Sequence, residues 1–175
     1  MADPTPMWRM PTRAQAIDIL IASRTPILEH IEGLEDSQMK TQTLLGGGEW
    51  SVKDLLGHLA GYEEDALAVS TGGQTRFSGK FESVDERNAA DIKRKRNWSV
   101  KRIREDLEHS RAALLETIES MDDERWSSKI ETKTGRSALG LVLGRMLVGG
   151  RHGLFAHDLA HLRDLQRSIK QLKGE

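Results

Sequence analysis

Four stretches of this chain repeat apolar residues at the three- and four-residue spacing of an α-helix, and the alternation typical of strands is essentially missing. Each stretch can bury only one stripe, so four of them are satisfied by closing around a common core. The first runs through Ile17, Leu20, Ile21, Leu28 and Ile31, behind Thr12-Arg13-Ala14-Gln15, which has the form of a capping box. Pro26 lies inside it and is expected to kink it, having no backbone donor. The second opens at Ser51 as N-cap with Asp54 three residues on, and Trp50 is placed to pack on Leu55. Its stripe is Val52, Leu55, Leu56, Leu59 and Ala66. Ser99 caps the third, which carries Val100, Ile103, Leu107, Leu114, Ile118 and Met121. The last carries Leu154, Leu162, Leu165, Ile169 and Leu172. Helices are therefore expected near residues 12–38, 51–70, 99–121 and 150–172, in an all-α four-helix bundle with long crossover loops.

The connections read as breaks and loops. Gly46-Gly47-Gly48 is a flexible break, Thr71 to Phe81 a loop, Val84 to Asn97 a short polar helix, and Asp122 to Arg136 a second long loop holding Trp126. An apolar segment from Ala138 to Val148 ends at Gly149-Gly150 and is a weak sign of homodimerisation. At 175 residues the chain is expected to be a single domain over 1–175, with 1–11 as an irregular arm holding three of the four prolines.

Charge and composition narrow the function. Lys+Arg 26 against Asp+Glu 27 gives a net charge of -1, so no nucleic-acid or acidic-membrane partner is expected. The basic run Lys93-Arg94-Lys95-Arg96 is surrounded by Asp85, Glu86, Asp91, Glu105 and Asp106 and has no interleaved aromatics. No stretch is apolar for long enough to span a bilayer. The chain has no cysteine, which removes disulfides, thiolate ligands and a cysteine nucleophile. A cytoplasmic location is expected.

Histidine supplies the candidate chemistry. His157 and His161 stand one helical turn apart on the edge of the last apolar stripe, the spacing at which two imidazoles grip one transition-metal ion. His58 lies on the flank of the second stripe, with Leu55 and Tyr62 on its side and Gly57 and Gly61 beside it. The two helices can place three neutral imidazoles around one ion, leaving positions for water or substrate as catalytic sites do. A single core-edge histidine is more often bonded to a carbonyl, so the argument rests on the combination. His30 has no partner at metal spacing, His109 falls off its stripe, and His152 is turned well away from His157. Metal affinity is expected to fall through about pH 6 to 5, where unperturbed histidine protonates.

The segment Glu49-Trp50-Ser51-Val52-Lys53-Asp54-Leu55-Leu56-Gly57-His58-Leu59-Ala60, paired with the distant His157-Asp158-Leu159-Ala160-His161-Leu162, resembles the DinB/YfiT-like superfamily. The resemblance covers nearly the whole chain. It implies a four-helix bundle, often homodimeric, in which His58, His157 and His161 bind a divalent metal, usually zinc or nickel. Members include thiol S-transferases that use bacillithiol, mycothiol or glutathione, a maleylpyruvate isomerase, and proteins described as metal-dependent hydrolases. No signature of a particular thiol is visible in this chain.

The leading reading is an enzyme whose three-histidine metal site activates a low-molecular-weight thiol or water for attack on an electrophilic small molecule. Tyr62, one turn after His58, is a candidate donor to the reacting groups, and Asp158 or Asp164 a candidate to orient an imidazole. The alternative is a non-catalytic bundle for binding or assembly, with its metal structural or absent.

Overall fold

The computed structural model describes residues 9–75 and 80–174. Most of the N-terminal arm expected over 1–11, and part of the loop from Thr71 to Phe81, lie outside the described residues. Helix α1 (Arg13–Ile31) starts at the expected capping box, with Thr12 accepting from the Gln15 amide and the Gln15 side chain accepting from Thr12 N–H. It runs on through Pro26 and ends at Ile31, not near residue 38. The stop is local: Glu32 is extended and Gly33 takes φ +75°, a left-handed turn that suits glycine. A short α2 (Asp36–Lys40) follows. The buried face of α1 is also rotated from the expected stripe. Ala16, Leu20, Ile27 and Ile31 point inward, whereas Ile21 and Leu28 are 52% and 47% exposed.

Two hairpins appear where loops were expected. Strands β1 (Gln42–Leu45) and β2 (Trp50–Ser51) pair antiparallel around a 3-10 turn at residues 46–48. Helix α3 (Val52–Ser70) begins at once, closed by the reciprocal Ser51–Asp54 capping box. Then come α4 (Val84–Lys95), α5 (Val100–Ser120) and the short α6 (Asp123–Ser127), which carries the buried Trp126. A second hairpin, β3 (Lys129–Thr132) with β4 (Gly135–Ala138), leads into α7 (Leu139–Met146). Leu139, Leu143 and Leu147 are buried in the chain's own core, so this segment closes the bundle and gives no support to a dimer surface. Helix α8 (His157–Lys173) starts seven residues later than expected, because the preceding stretch turns at positive φ at Gly150, Gly153 and Phe155.

The long helices α1, α3, α5 and α8 enclose two apolar clusters. One gathers Ile27, Ile31, Leu55, Leu59, Ile103 and Leu165, the other Leu20, Ala66, Leu114, Ile118 and Phe155. Between them lies a charged layer. Arg24 of α1 pairs with Glu63 of α3 and Asp158 of α8, each at 2.5 Å, and Arg111 of α5 pairs with the same two carboxylates, at 2.5 and 3.2 Å. Ser110 donates to Glu63 at 2.8 Å, and all four charged side chains are buried. Each long helix thus contributes to one closed ring of two cations and two anions, the balanced arrangement that a low-dielectric interior tolerates.

Candidate metal centre

Helix α3 directs His58 toward the start of α8, which presents His157 and His161 from consecutive turns. The Nε2 atoms of His58 and His161 are 3.3 Å apart, as are those of His161 and His157. All three candidate ligand atoms lie within 4.8 Å of one another. With zinc–nitrogen bonds of 2.0–2.1 Å, two ligands of a tetrahedral ion sit roughly 3.3–3.4 Å apart. The observed spacing therefore fits one shared ion. It fits a hydrogen-bonded apo cluster less well, since His161 Nε2 has one lone pair or one proton for two facing nitrogens.

The surroundings keep these rings neutral. Burial pushes the His58 pKa well below its ordinary value, helped by His157 and His161 and by Arg87 and Lys95. Burial and His161 lower His157 from 6.5 to about 3, against the opposing pull of Asp158, and burial also lowers His161. Neutral imidazole is the ligand form. Protons thus compete for the site only at a lower pH than the window expected from unperturbed histidine.

Two aromatic rings flank the cluster. Trp50 lies 4.8 Å from the His58 ring and 6.5 Å from His161, and Tyr62 lies 4.9 Å from His58 and 4.6 Å from His157. Among the described residues the buried Nδ1 of His58 has no hydrogen-bond partner, so the ring is held by packing and by the contact of its Nε2 with His161. The Tyr62 hydroxyl donates to Asn88 of α4 at 3.2 Å, and the Arg87 guanidinium sits 3.7 Å over its ring. Burial raises the Tyr62 pKa, so the phenol stays protonated. Close approach of α4 needs Gly61: a Cβ there would stand 1.9 Å from an Asp91 carboxylate oxygen.

The two acids expected to orient an imidazole do not do so. Asp158 is turned into the charged ring with Arg24 and Arg111, and exposed Asp164 lies 3.9 Å from Arg167. His30 bonds the Pro26 carbonyl and Gln166, while His109 and His152 are exposed. In the basic run, Arg94 pairs with Glu64 and Asp91, and Lys95 with Glu64 and Asp106. Sequence reasoning missed Arg87 and Asn88, which sit in a polar helix with no apolar stripe to orient it.

A cleft of about 890 Å³ runs between the β1–β2 hairpin and α4, lined by Gln42, Glu49, Trp50, Asp85, Asn88 and Arg96 among others. Trp50 packs on His58 and Asn88 holds Tyr62, so both connect its wall to the triad. The volume suits a small organic ligand. No helix among the described residues is long and apolar enough to cross a membrane.

Residues 20–149 match the family model of the mycothiol maleylpyruvate isomerase N-terminal domain, a span that contains His58 and stops short of α8. No curated protein matches the chain. Among solved structures, a mycothiol-dependent maleylpyruvate isomerase is similar at 17% identity and a TM-score of 0.67. The alignment covers 90% of this chain and 62% of the isomerase, so the chain spans less than two thirds of that protein's length. The colibactin self-resistance protein ClbS, solved with double-stranded DNA, aligns at 13% identity and TM-score 0.72 over 93% of this chain and 98% of its own. YfiT from Bacillus subtilis, described as a "probable metal-dependent hydrolase with an unusual four-helix bundle topology", aligns at 16% and 0.58 over 93% and 86%. At such identities these likenesses establish a DinB/YfiT-like fold.

Proposed function

Because this chain belongs to the mycothiol maleylpyruvate isomerase N-terminal domain family, we propose that it is a metal-dependent enzyme acting on a small electrophile. In this reading His58, His157 and His161 hold one divalent ion, zinc or nickel, and the attacking group is a low-molecular-weight thiol or water. The observation that carries it is that His161 Nε2 lies 3.3 Å from the Nε2 atoms of both His58 and His157, with all three candidate ligand atoms within 4.8 Å and two of the three rings only partly buried. Among the described residues the cluster of possible ligands has these three members, which leaves coordination free for a reactant. When bound, a divalent ion supplies Lewis acidity that brings a thiol or water toward its conjugate base at neutral pH.

The protein's own groups do the rest. Trp50 and Tyr62 wall the histidines on two sides, and the cleft beside α4 admits the electrophile. Tyr62 is the proposed hydrogen-bond donor to the reacting groups: its phenol is protonated, and a turn away from Asn88 frees the hydroxyl. A cytoplasmic location belongs to the same reading, since small thiols stay reduced there. Homodimerisation rests on the resemblance alone, and a monomer mass in light scattering at tens of micromolar would remove it.

The test is elemental analysis of purified protein, followed by a screen of thiols against electrophiles. About one equivalent of metal per chain is expected, with His58→Ala, His157→Ala and His161→Ala each losing most of it while keeping helicity. Full occupancy in His58→Ala would overturn the three-ligand site. Metal bound without exchangeable water, or no turnover in any thiol or hydrolytic pairing, would favour the non-catalytic bundle. The ClbS complex with DNA weighs against dismissing nucleic acid, although Arg94 and Lys95 of the one basic run are already paired with carboxylates.

A further inference from the structure

The ring of Arg24, Glu63, Arg111 and Asp158 has no role in the chemistry above, yet on α8 it adjoins a triad member in sequence, and on α3 it adjoins Tyr62, whose ring packs on His58 and His157. On α3, Tyr62 faces the histidines and the next residue, Glu63, faces the ring. On α8, His157 faces His58 and the next residue, Asp158, faces the ring. We propose that the charged ring is a positioning device that fixes α8 against α3, so that His157 and His161 meet His58. The inference rests on the metal reading of the triad.

Three observations support it. At the start of α8 Ala156 provides no side-chain cap and the stretch before it is irregular, so Asp158 is the first-turn side chain that ties the helix to α1 and α5. The apolar contacts of α8 through Leu165 and Ile169 are non-directional, and such side chains can repack after a small slide. Ion pairs at 2.5–3.2 Å cannot, because one residue of axial slip moves a helix by about 1.5 Å. Lastly, among the described residues no hydrogen bond to Nδ1 of His58 holds that ring in place, so the accuracy of the site must come from the helices. Buried polar groups acting as register devices are the best-attested case of this kind.

The experiment separates register from stability. In Arg24→Met/Asp158→Leu one cation and one anion are removed together, leaving Arg111 paired with Glu63, so the double variant is expected to fold. Asp158→Glu keeps the charge and lengthens the link by one methylene. Cobalt(II) is titrated into wild type and both variants, following its visible absorption and measuring affinity by chelator competition, with thermal unfolding alongside. The double variant should unfold cooperatively yet bind cobalt 10–100-fold more weakly, with an altered spectrum. Asp158→Glu should shift both readouts in the same direction by a smaller factor. A folded variant with wild-type affinity and spectrum overturns the positioning role, and Asp158→Glu decides if the double variant does not fold. Wild-type protein that takes up no cobalt overturns instead the metal reading beneath it.

Discussion

Replacing Glu63 by glutamine is the most direct test of the charged layer's energetics. Glu63 is 1% exposed and accepts from Arg24 Nη2 at 2.5 Å, Arg111 Nε at 2.8 Å and Ser110 Oγ at 2.8 Å. Glu63→Gln preserves shape and removes one anion, leaving two buried guanidinium groups to share Asp158. Breaking a buried charge pair from one side costs about 3–5 kcal/mol. The amide oxygen still accepts from Ser110 or one arginine, returning about 1 kcal/mol, so a net loss of about 3 kcal/mol is expected. That is a large part of a domain stability of about 5–15 kcal/mol. With a urea slope of about 2 kcal/mol per molar, the midpoint should move down by about 1.5 M. The assay is urea unfolding followed by far-ultraviolet circular dichroism at pH 7 with chelator present, so that bound metal does not contribute. The charge-balanced partner Arg24→Met/Glu63→Leu should stay within about 1 kcal/mol of wild type. A loss below about 0.5 kcal/mol for Glu63→Gln at unchanged slope, or a double variant as unstable as the single, would refute the account.

Acid should weaken the metal-free protein. His157 is held at about 3 against an ordinary 6.5, so the unfolded chain takes up that proton first as pH falls. Stability is full above about 6.5 and declines toward 3 by about 1.4 kcal/mol per pH unit from His157 alone; urea midpoints that stay flat between pH 7 and 5 would contradict this. Because burial lowers all three imidazoles, bound metal should be retained to a lower pH than unperturbed histidine would allow, as dialysis and elemental analysis would show. Gly61→Ala should cost about 1–3 kcal/mol in thermal unfolding, since the new methyl would overlap Asp91 and push α4 outward; an unchanged midpoint would refute that packing. Duplex DNA in a mobility-shift assay at low salt should not be retarded below ~10 µM protein, and tighter binding would reopen the nucleic-acid reading.

The parts readable from sequence were those specified by local chemistry. The Ser51–Asp54 capping box set the start of α3 and, with helical periodicity, the side from which His58 projects. The four-residue spacing of His157 and His161 was equally local. Other features came from contacts that periodicity does not encode. The inward face of α1 was misjudged because Ile21 and Leu28 are as apolar as the residues that are buried. The late start of α8 depends on positive φ at Phe155, a residue whose side chain gives no such hint. The charged ring did leave a trace: Arg24 interrupts Leu20 and Ile27, Glu63 interrupts Leu59 and Ala66, and Arg111 interrupts Leu107 and Leu114. A charge inside an apolar stripe, repeated at one level on several helices, signals partners across the core. Each charge read alone resembles an ordinary surface residue.

The span of chain that the triad closes has a kinetic consequence. His58 and His161 are separated by 103 residues, and Arg24 and Asp158 by 134, so both the site and the ring join early chain to late chain. Bringing such distant segments together carries a loop-closure cost before any contact rewards it. A transition state that has not yet docked α8 holds only one of the three histidines in place. An ion that needs all three then stabilises the native state and leaves that transition state untouched. Bound metal should therefore leave the folding rate nearly unchanged and slow unfolding, lengthening the lifetime of the folded protein.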